Sequence, residues 1–178
     1  MGMDIQKAAD ALYEAEKGAY QIPMISQDNP DMTIDDAYAI QLKNIERRLA
    51  EGEKLVGMKI GLTSKAMQQL LGVDVPDYGH LTDKMLLLEG QTCPVSELNQ
   101  PKVEGELAFC LKKTLKGPGL TIADVYDATD YVVPALEIVD SRIKDWKIKL
   151  VDTISDNGSS AKLVVGSRMT PIHQVDMR

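Results

Sequence analysis

The stretch Gln100-Pro-Lys-Val-Glu-Gly-Glu-Leu-Ala-Phe109 places two glutamates, Glu104 and Glu106, two positions apart in a segment of strand-like composition. Because side chains alternate along a strand, both carboxylates are predicted to project from one face, while Val103 and Leu107 project from the other. Like charges on one face repel, so burying the pair requires a cation or a hydrogen-bond network. Such a pair is also common on the solvated face of an antiparallel strand, so the spacing alone leaves both interpretations open.

A third glutamate, Glu137, lies in the run Tyr131-Val-Val-Pro-Ala-Leu-Glu-Ile-Val139. Its flanks are continuously apolar, which is typical of a buried strand and not of a surface position. Three carboxylate oxygens, with water at the remaining positions, are a ligand set suited to a hard cation such as Mg²⁺ or Mn²⁺. The sequence therefore predicts a divalent-metal site formed by Glu104, Glu106 and Glu137.

The bulk composition narrows the class of protein. The 178 residues are 44% hydrophobic, enough to bury a sizeable core, and the formal net charge of −7 argues against nucleic-acid binding. No run approaches the roughly 18 apolar residues that span a bilayer, and the N-terminus is unlike a signal peptide. The expectation is a cytoplasmic protein with no membrane partner.

Hydrophobic periodicity and turn signals predict an α+β protein. An N-terminal helical and mixed segment, residues 1–85, is expected to precede a β-rich core, residues 86–178. The polar run 155–160 is interpreted as a loop, either simply solvated or binding carboxylates. The predicted elements are helices over residues 3–17, 33–51, 65–71 and 121–130, a turn at 75–79, and strands over 55–64, 86–88, 103–111, 131–139 and, last, 161–165.

Two further residues attract attention but are ambiguous on their own. Lys59 lies in the apolar middle of a predicted strand. Either its stem packs while the ammonium reaches water, or it holds an anionic substrate or donates a proton with a lowered pKa. Asp77 follows Pro76 in a predicted turn, where aspartates commonly hydrogen-bond the backbone.

Several ordered blocks resemble the 2-keto-4-pentenoate hydratase group, also called 2-hydroxypenta-2,4-dienoate hydratases, within the fumarylacetoacetate hydrolase superfamily. The resemblance runs through most of the chain. The blocks are Lys-Ile-Gly-Leu-Thr-Ser-Lys-Ala (59–66), Gly-Val-Asp-Val-Pro-Asp-Tyr-Gly (72–79), Pro-Lys-Val-Glu-Gly-Glu-Leu-Ala-Phe (101–109), Pro-Ala-Leu-Glu-Ile-Val-Asp-Ser-Arg (134–142) and Asp-Thr-Ile-Ser-Asp-Asn (152–157).

The resemblance implies a role for each matching position. The three glutamates match the family's ligands for Mg²⁺ or Mn²⁺, and Lys59 and Asp77 match active-site positions that polarise substrate and transfer protons. The substrate-binding candidates that it implies are Thr63, Ser64, Ser155 and Asn157. Family members are longer than this chain, so the resemblance predicts a fumarylacetoacetate hydrolase-type core that is truncated at its C-terminus.

The implied activity is hydration of a small 2-hydroxydienoic or 2-oxo acid during degradation of aromatic compounds. The partners that the resemblance implies are further copies of the chain in a homo-oligomer and, as a second option, other enzymes of the pathway in a complex. Alternatives within the superfamily are 4-oxalocrotonate decarboxylase, dienedioate hydratases and acylpyruvate hydrolases. An alternative of another class is a non-catalytic assembly subunit that keeps the metal site for structure.

Overall fold

A computed structural model describes residues 3–176, apart from the side chains of residues 67, 70 and 71. The chain folds into a mixture of helices and sheets, which confirms the α+β prediction. None of the described helices is long and apolar enough to cross a membrane. The elements are α1 (Ile5–Lys17), α2 (Ile25–Asp28), α3 (Ile34–Ala50), β1 (Leu55–Gly61), α4 (Lys65–Leu71), β2 (Asp77–Thr82), β3 (Leu86–Leu88), β4 (Lys102–Leu111), α5 (Ile122–Ala128), β5 (Thr129–Val139), α6 (Leu150–Ser155), β6 (Ser160–Val165) and β7 (Thr170–Pro171).

The N-terminal helices begin where the sequence provides caps. The Asp4 carboxylate accepts a hydrogen bond from the Lys7 N–H at the start of α1. Thr33 and Asp36 form a capping box at the start of α3, which satisfies two backbone donors that a helix otherwise leaves without partners. Both helices were predicted. They contribute to a buried apolar cluster that consists of Ala9, Leu12, Ile25, Ile40 and Ile143.

The larger sheet has five strands, with the order β3-β6-β5-β4 and with β7 paired to β5. Strands β3 and β6 are parallel, and the other pairs are antiparallel. Strand β5 is central, because β4 and β6 pair with it on opposite sides. Burial alternates along this part of the strand: Ala135 and Glu137 are buried on one face, whereas Leu136 on the other face is 47% exposed.

Strands β1 and β2 form a separate two-stranded antiparallel sheet in which Lys59 pairs with Gly79 and Gly61 pairs with Asp77. The prediction of a turn over residues 75–79 was therefore wrong from Asp77 onward. Pro76 suggested a turn, but the backbone groups of β1 give the following residues strand partners. Local turn chemistry is commonly overruled in this way by pairing with a distant segment.

The polar segment at residues 155–160 was predicted to be a loop, but Ser155 ends a helix and Ser160 begins a strand. The Asp156 carboxylate accepts hydrogen bonds from the Arg142 backbone N–H at 2.9 Å and from its guanidinium at 2.5 Å. Both side chains are buried, and the pairing replaces the water that each charge would otherwise need.

The proposed boundary between residues 85 and 86 separates the two-stranded sheet from the first strand of the larger one. The Gln41 side-chain amide nevertheless donates to the carbonyls of Tyr78 and Ile154, which joins the two segments. The two-segment division stays a prediction. Strand 161–165 is confirmed as β6, but β7 follows it, so β6 is not the last strand.

Candidate metal centre and active site

The three predicted metal ligands lie together on one face of the β4–β5 pair. The strand register places Glu104 directly opposite Glu137, and Glu106 opposite Ala135. Because side chains alternate, Glu106 projects to the same side as the other two glutamates. One carboxylate oxygen from each residue lies within 4.8 Å of the others.

This cluster fits a divalent cation on its own geometry and electrostatics. Oxygens on opposite sides of one Mg²⁺ are about 4 Å apart, so small side-chain rotations would close this set around a single ion. Glu137 is buried, and its Oε1 has no hydrogen-bond partner among the described residues. Burial, followed by the charges of Glu137 and Glu104, raises the pKa of Glu106 above its ordinary value. A bound cation would offset the repulsion among the carboxylates and would give Glu137 Oε1 a ligand bond in place of the missing hydrogen bond.

A cleft of about 210 Å³ adjoins the cluster. Thr63 and Ser64, two of the predicted substrate-binding residues, line it, and Ile60 and Leu62 add apolar surface. The remaining described residues around the cleft are Lys59, Gly61 and the three glutamates. The cleft therefore combines carboxylates, one ammonium group and a small apolar wall, a composition suited to a small organic anion with a cation beside it.

Lys59 reaches the cluster from β1. Its Nζ donates a hydrogen bond to the Gly158 carbonyl at 3.0 Å and lies 3.4 Å from Glu137 Oε1. The second contact is an ion pair without hydrogen-bond geometry, which is why that oxygen remains without a hydrogen bond. An ammonium group has three donors, so Lys59 retains capacity for a substrate oxygen. The Lys59 side chain is only 11% exposed, so its ammonium is held by the protein and does not simply reach bulk water.

Asp77 lies behind the cleft wall and does not line the cleft itself. Its side chain is buried, and Oδ1 has no hydrogen-bond partner among the described residues. Burial raises the pKa of Asp77 above its ordinary value, while the Lys59 ammonium opposes the rise. A Cβ added to Gly61, which does line the cleft, would lie 2.2 Å from this oxygen and 3.2 Å from Lys59 Nζ. Asp77 therefore occupies the space beside Lys59 that a side chain at Gly61 would fill.

The structure places Ser155 and Asn157 away from this cleft, beside a separate cavity of about 20 Å³. The Ser155 hydroxyl donates to the Val151 carbonyl. The Asn157 amide both accepts from and donates to the backbone of His80. Their polar groups are committed to the protein, so this geometry gives no support for direct substrate binding by either residue.

Comparison with known proteins supports the interpretation of this cleft as an enzyme site. A scan of protein-family models gave no match. The chain is 49% identical to a 2-hydroxypent-2,4-dienoate hydratase from Pseudomonas putida over 174 residues, which cover 97% of this chain and 78% of the relative. It is 52% identical to a 2-keto-4-pentenoate hydratase from Paraburkholderia xenovorans over 167 residues, which cover 94% of this chain and 61% of the relative.

The chain belongs to the 2-keto-4-pentenoate hydratase family. Members of this family are hydro-lyases, and the resemblance seen in the sequence blocks is confirmed. A solved 4-oxalocrotonate decarboxylase from Pseudomonas putida G7, complexed with magnesium and adipate, superimposes with a TM-score of 0.94 at 37% identity, covering 98% of this chain and 66% of that one. The chain thus spans between 61% and 78% of the lengths of these hydratases.

Sequence reasoning missed two residues beside the cleft of this hydratase-family chain. Gly61 leaves space for Asp77, and Gly158 supplies the carbonyl that holds Lys59. The Asn157-Gly158 dipeptide is a turn signal that could have drawn attention to a left-handed backbone. No comparable local signal marks Gly61, because its importance depends on the residue paired with it across the sheet.

Proposed function

We propose that this protein is a metal-dependent hydratase that converts 2-hydroxypenta-2,4-dienoate, through its 2-oxo tautomer, to 4-hydroxy-2-oxopentanoate in the degradation of aromatic compounds. The observation that carries the proposal is the convergence of three carboxylates and Lys59 on one cleft. Identity of about one half to named hydratases supports the same reaction class.

Glu104, Glu106 and Glu137 would hold the cation, and Mg²⁺ or Mn²⁺ is proposed because all three donors are hard carboxylate oxygens. The magnesium in the similar decarboxylase structure supports this choice. When bound, the ion supplies positive charge that stabilises negative charge developing on the substrate's oxygens.

The protein's own groups then have separate tasks. The reaction requires proton transfer from the 2-hydroxyl to C5, followed by addition of water with its oxygen at C4 and a proton at C3. Lys59 would hold the substrate carboxylate or the 2-oxygen with its remaining donor capacity. Asp77, whose raised pKa favours retention of a proton, does not line the cleft and would therefore exchange protons with the substrate through an intervening water. Thr63 and Ser64 would bind the substrate along the cleft wall.

The cleft composition favours a substrate with an uncharged tail. Among the described residues that line it, Lys59 is the only lysine or arginine, and Glu137 already pairs with it. The dicarboxylate substrates of 4-oxalocrotonate decarboxylases and dienedioate hydratases would require a further cation for their second carboxylate. Supplying each candidate substrate and identifying the products separates these reactions, since only decarboxylation releases CO₂.

The test of the proposed function compares wild-type protein with Lys59→Met. Loss of dienol absorbance measures turnover, and calorimetric titration measures Mn²⁺ affinity. Turnover is expected to fall far more than Mn²⁺ affinity, because Lys59 contacts substrate while the carboxylates bind the ion. Lys113→Met is a matched control, since Lys113 pairs with Asp127 at an exposed position. Equal losses of turnover and affinity in Lys59→Met would contradict the assignment.

The same assay addresses the alternative of a non-catalytic assembly subunit. Such a subunit would bind Mn²⁺ and leave the dienol absorbance unchanged.

The homo-oligomer, the pathway-enzyme complex and the cytoplasmic location stay predictions. Light scattering of the purified protein measures the first of these. Exposed apolar side chains along β4, including Val103 and Leu107, are compatible with such association.

A further inference from the structure

Three consecutive residues after α6 adopt a left-handed backbone. The φ angles are 56° at Asn157, 62° at Gly158 and 53° at Ser159. Glycine adopts this conformation freely, whereas an L-residue with a side chain is strained in it. Left-handed residues normally occur singly, so a run of three requires compensating contacts.

The surroundings of this left-handed turn supply those contacts. The Asn157 side-chain oxygen accepts from the His80 N–H at 2.8 Å, and its amide donates to the His80 carbonyl at 2.9 Å. Asn157 thereby pairs with β2 as a neighbouring strand would. The Ser159 carbonyl accepts from the Asp140 N–H at 2.7 Å. A Cβ at Gly79 would lie 2.6 Å from the Asn157 carbonyl oxygen, so the turn also sits directly against β2.

Among the described residues, the turn makes one polar contact toward the cleft. Lys59 Nζ donates a hydrogen bond to the Gly158 carbonyl at 3.0 Å. A Cβ at Gly158 would lie 3.1 Å from Lys59 Cδ and 3.2 Å from Nζ. The absence of a side chain thus lets the lysine lie along the turn. A lysine side chain has four flexible carbons and loses considerable rotamer freedom when it is fixed.

We propose that the left-handed turn of Asn157, Gly158 and Ser159 is a positioning element that fixes the Lys59 ammonium beside Glu137 and the cleft. This inference rests on the proposed function, because it gives Lys59 the task of holding the substrate's anionic end. Asn157 anchors the turn to β2, and Gly158 supplies both the acceptor and the space. The strained backbone is retained because a relaxed turn would move the acceptor away from the lysine.

The test measures binding of 2-oxopentanoate, an unreactive 2-oxo acid, to the Mn²⁺-loaded protein by calorimetry. Gly158→Ala and Asn157→Ala are each expected to weaken binding about tenfold, as loss of one charge-assisted hydrogen bond would. Mn²⁺ affinity measured without the acid should not change. Gly72→Ala is the matched control, because Gly72 has a φ of +66° and a Cβ there meets no described atom within 4 Å.

The same substitutions in a Lys59→Met background provide the decisive comparison. If the turn acts through Lys59, adding Gly158→Ala or Asn157→Ala to Lys59→Met causes no further loss of 2-oxopentanoate binding. Additive losses would overturn the inference and leave the proposed function in place. Wild-type protein that binds Mn²⁺ but not 2-oxopentanoate would overturn the proposed function, and this inference with it. Two variants in different parts of the turn keep the test informative if one does not fold.

Discussion

Replacing Gly61 with alanine tests how tightly the Asp77 carboxyl is held beside Lys59. The new Cβ would lie 2.2 Å from Asp77 Oδ1 and 3.3 Å from its Cγ, well inside normal contact distance. The backbone of β1 is paired with β2 at this point, so Asp77 must rotate instead. Because Asp77 is only 3% exposed, its carboxyl has no open solvent to rotate into.

The expected losses differ in size for stability and for catalysis. Overpacking costs about 1–3 kcal/mol in the free energy of unfolding, and about 3 kcal/mol is expected here because the buried Asp77 carboxyl has little room to shift. That corresponds to a fall of roughly 6–12 °C in melting temperature for a chain of this size. Displacement of a reacting group by about 1 Å can reduce the rate about 100-fold. Turnover of 2-hydroxypenta-2,4-dienoate should therefore fall about 100-fold while the protein remains folded.

The matched control is Gly57→Ala in the same strand. A Cβ at Gly57 would lie 3.8 Å from Leu81 Cδ1, which is an ordinary contact. The assay pairs thermal unfolding with the dienol absorbance for both variants. If Gly61→Ala retains the turnover of Gly57→Ala, then Asp77 has no positional role in the reaction and the reasoning fails.

Three further predictions concern the metal cluster and the buried ion pair. Glu106→Gln should weaken Mn²⁺ binding about 100-fold by calorimetry, because it removes one of three anionic ligands. Acidification should weaken Mn²⁺ binding to the wild-type protein, because protons compete with the ion for the carboxylate oxygens. Burial and the charge of Glu137 raise the pKa of Glu106, so this loss should begin at a higher pH than it would for a site of ordinary glutamates. Asp156→Asn should reduce the free energy of unfolding by about 3 kcal/mol in denaturant titrations, because the buried Arg142 guanidinium loses the carboxylate that contacts it directly.

Two of these predictions have a control variant in the same chain, and the pH dependence has an outcome that would contradict it. Glu97→Gln, outside the cluster, should leave Mn²⁺ affinity unchanged. An affinity that is independent of pH between neutrality and mild acid would contradict the proton-competition argument. Asp127→Asn, at the exposed ion pair with Lys113, should leave the denaturation midpoint unchanged. An equal effect of Asp127→Asn and Asp156→Asn would show that burial does not set the cost.

The parts of the fold that could be predicted are those encoded by local periodicity. The apolar spacing and caps of α1 and α3 depend on neighbours within one or two turns, so the sequence carries them directly. The alternation around Glu104 and Glu106 likewise predicts that both carboxylates share a face. The strand Asp77–Thr82 could not be predicted in this way, because its conformation depends on hydrogen bonds to β1.

The same distinction between local sequence and long-range contacts applies to the candidate site. The sequence by itself determined the chemistry: three carboxylates and Lys59, with a family resemblance that assigns them a common task. Only the tertiary structure decided that Glu137 lies opposite Glu104 and that Asn157 anchors a turn and lies outside the cleft. The physical reason is that residue types and short spacings are local properties, whereas cross-strand register and the space beside a glycine depend on segments far apart in the chain.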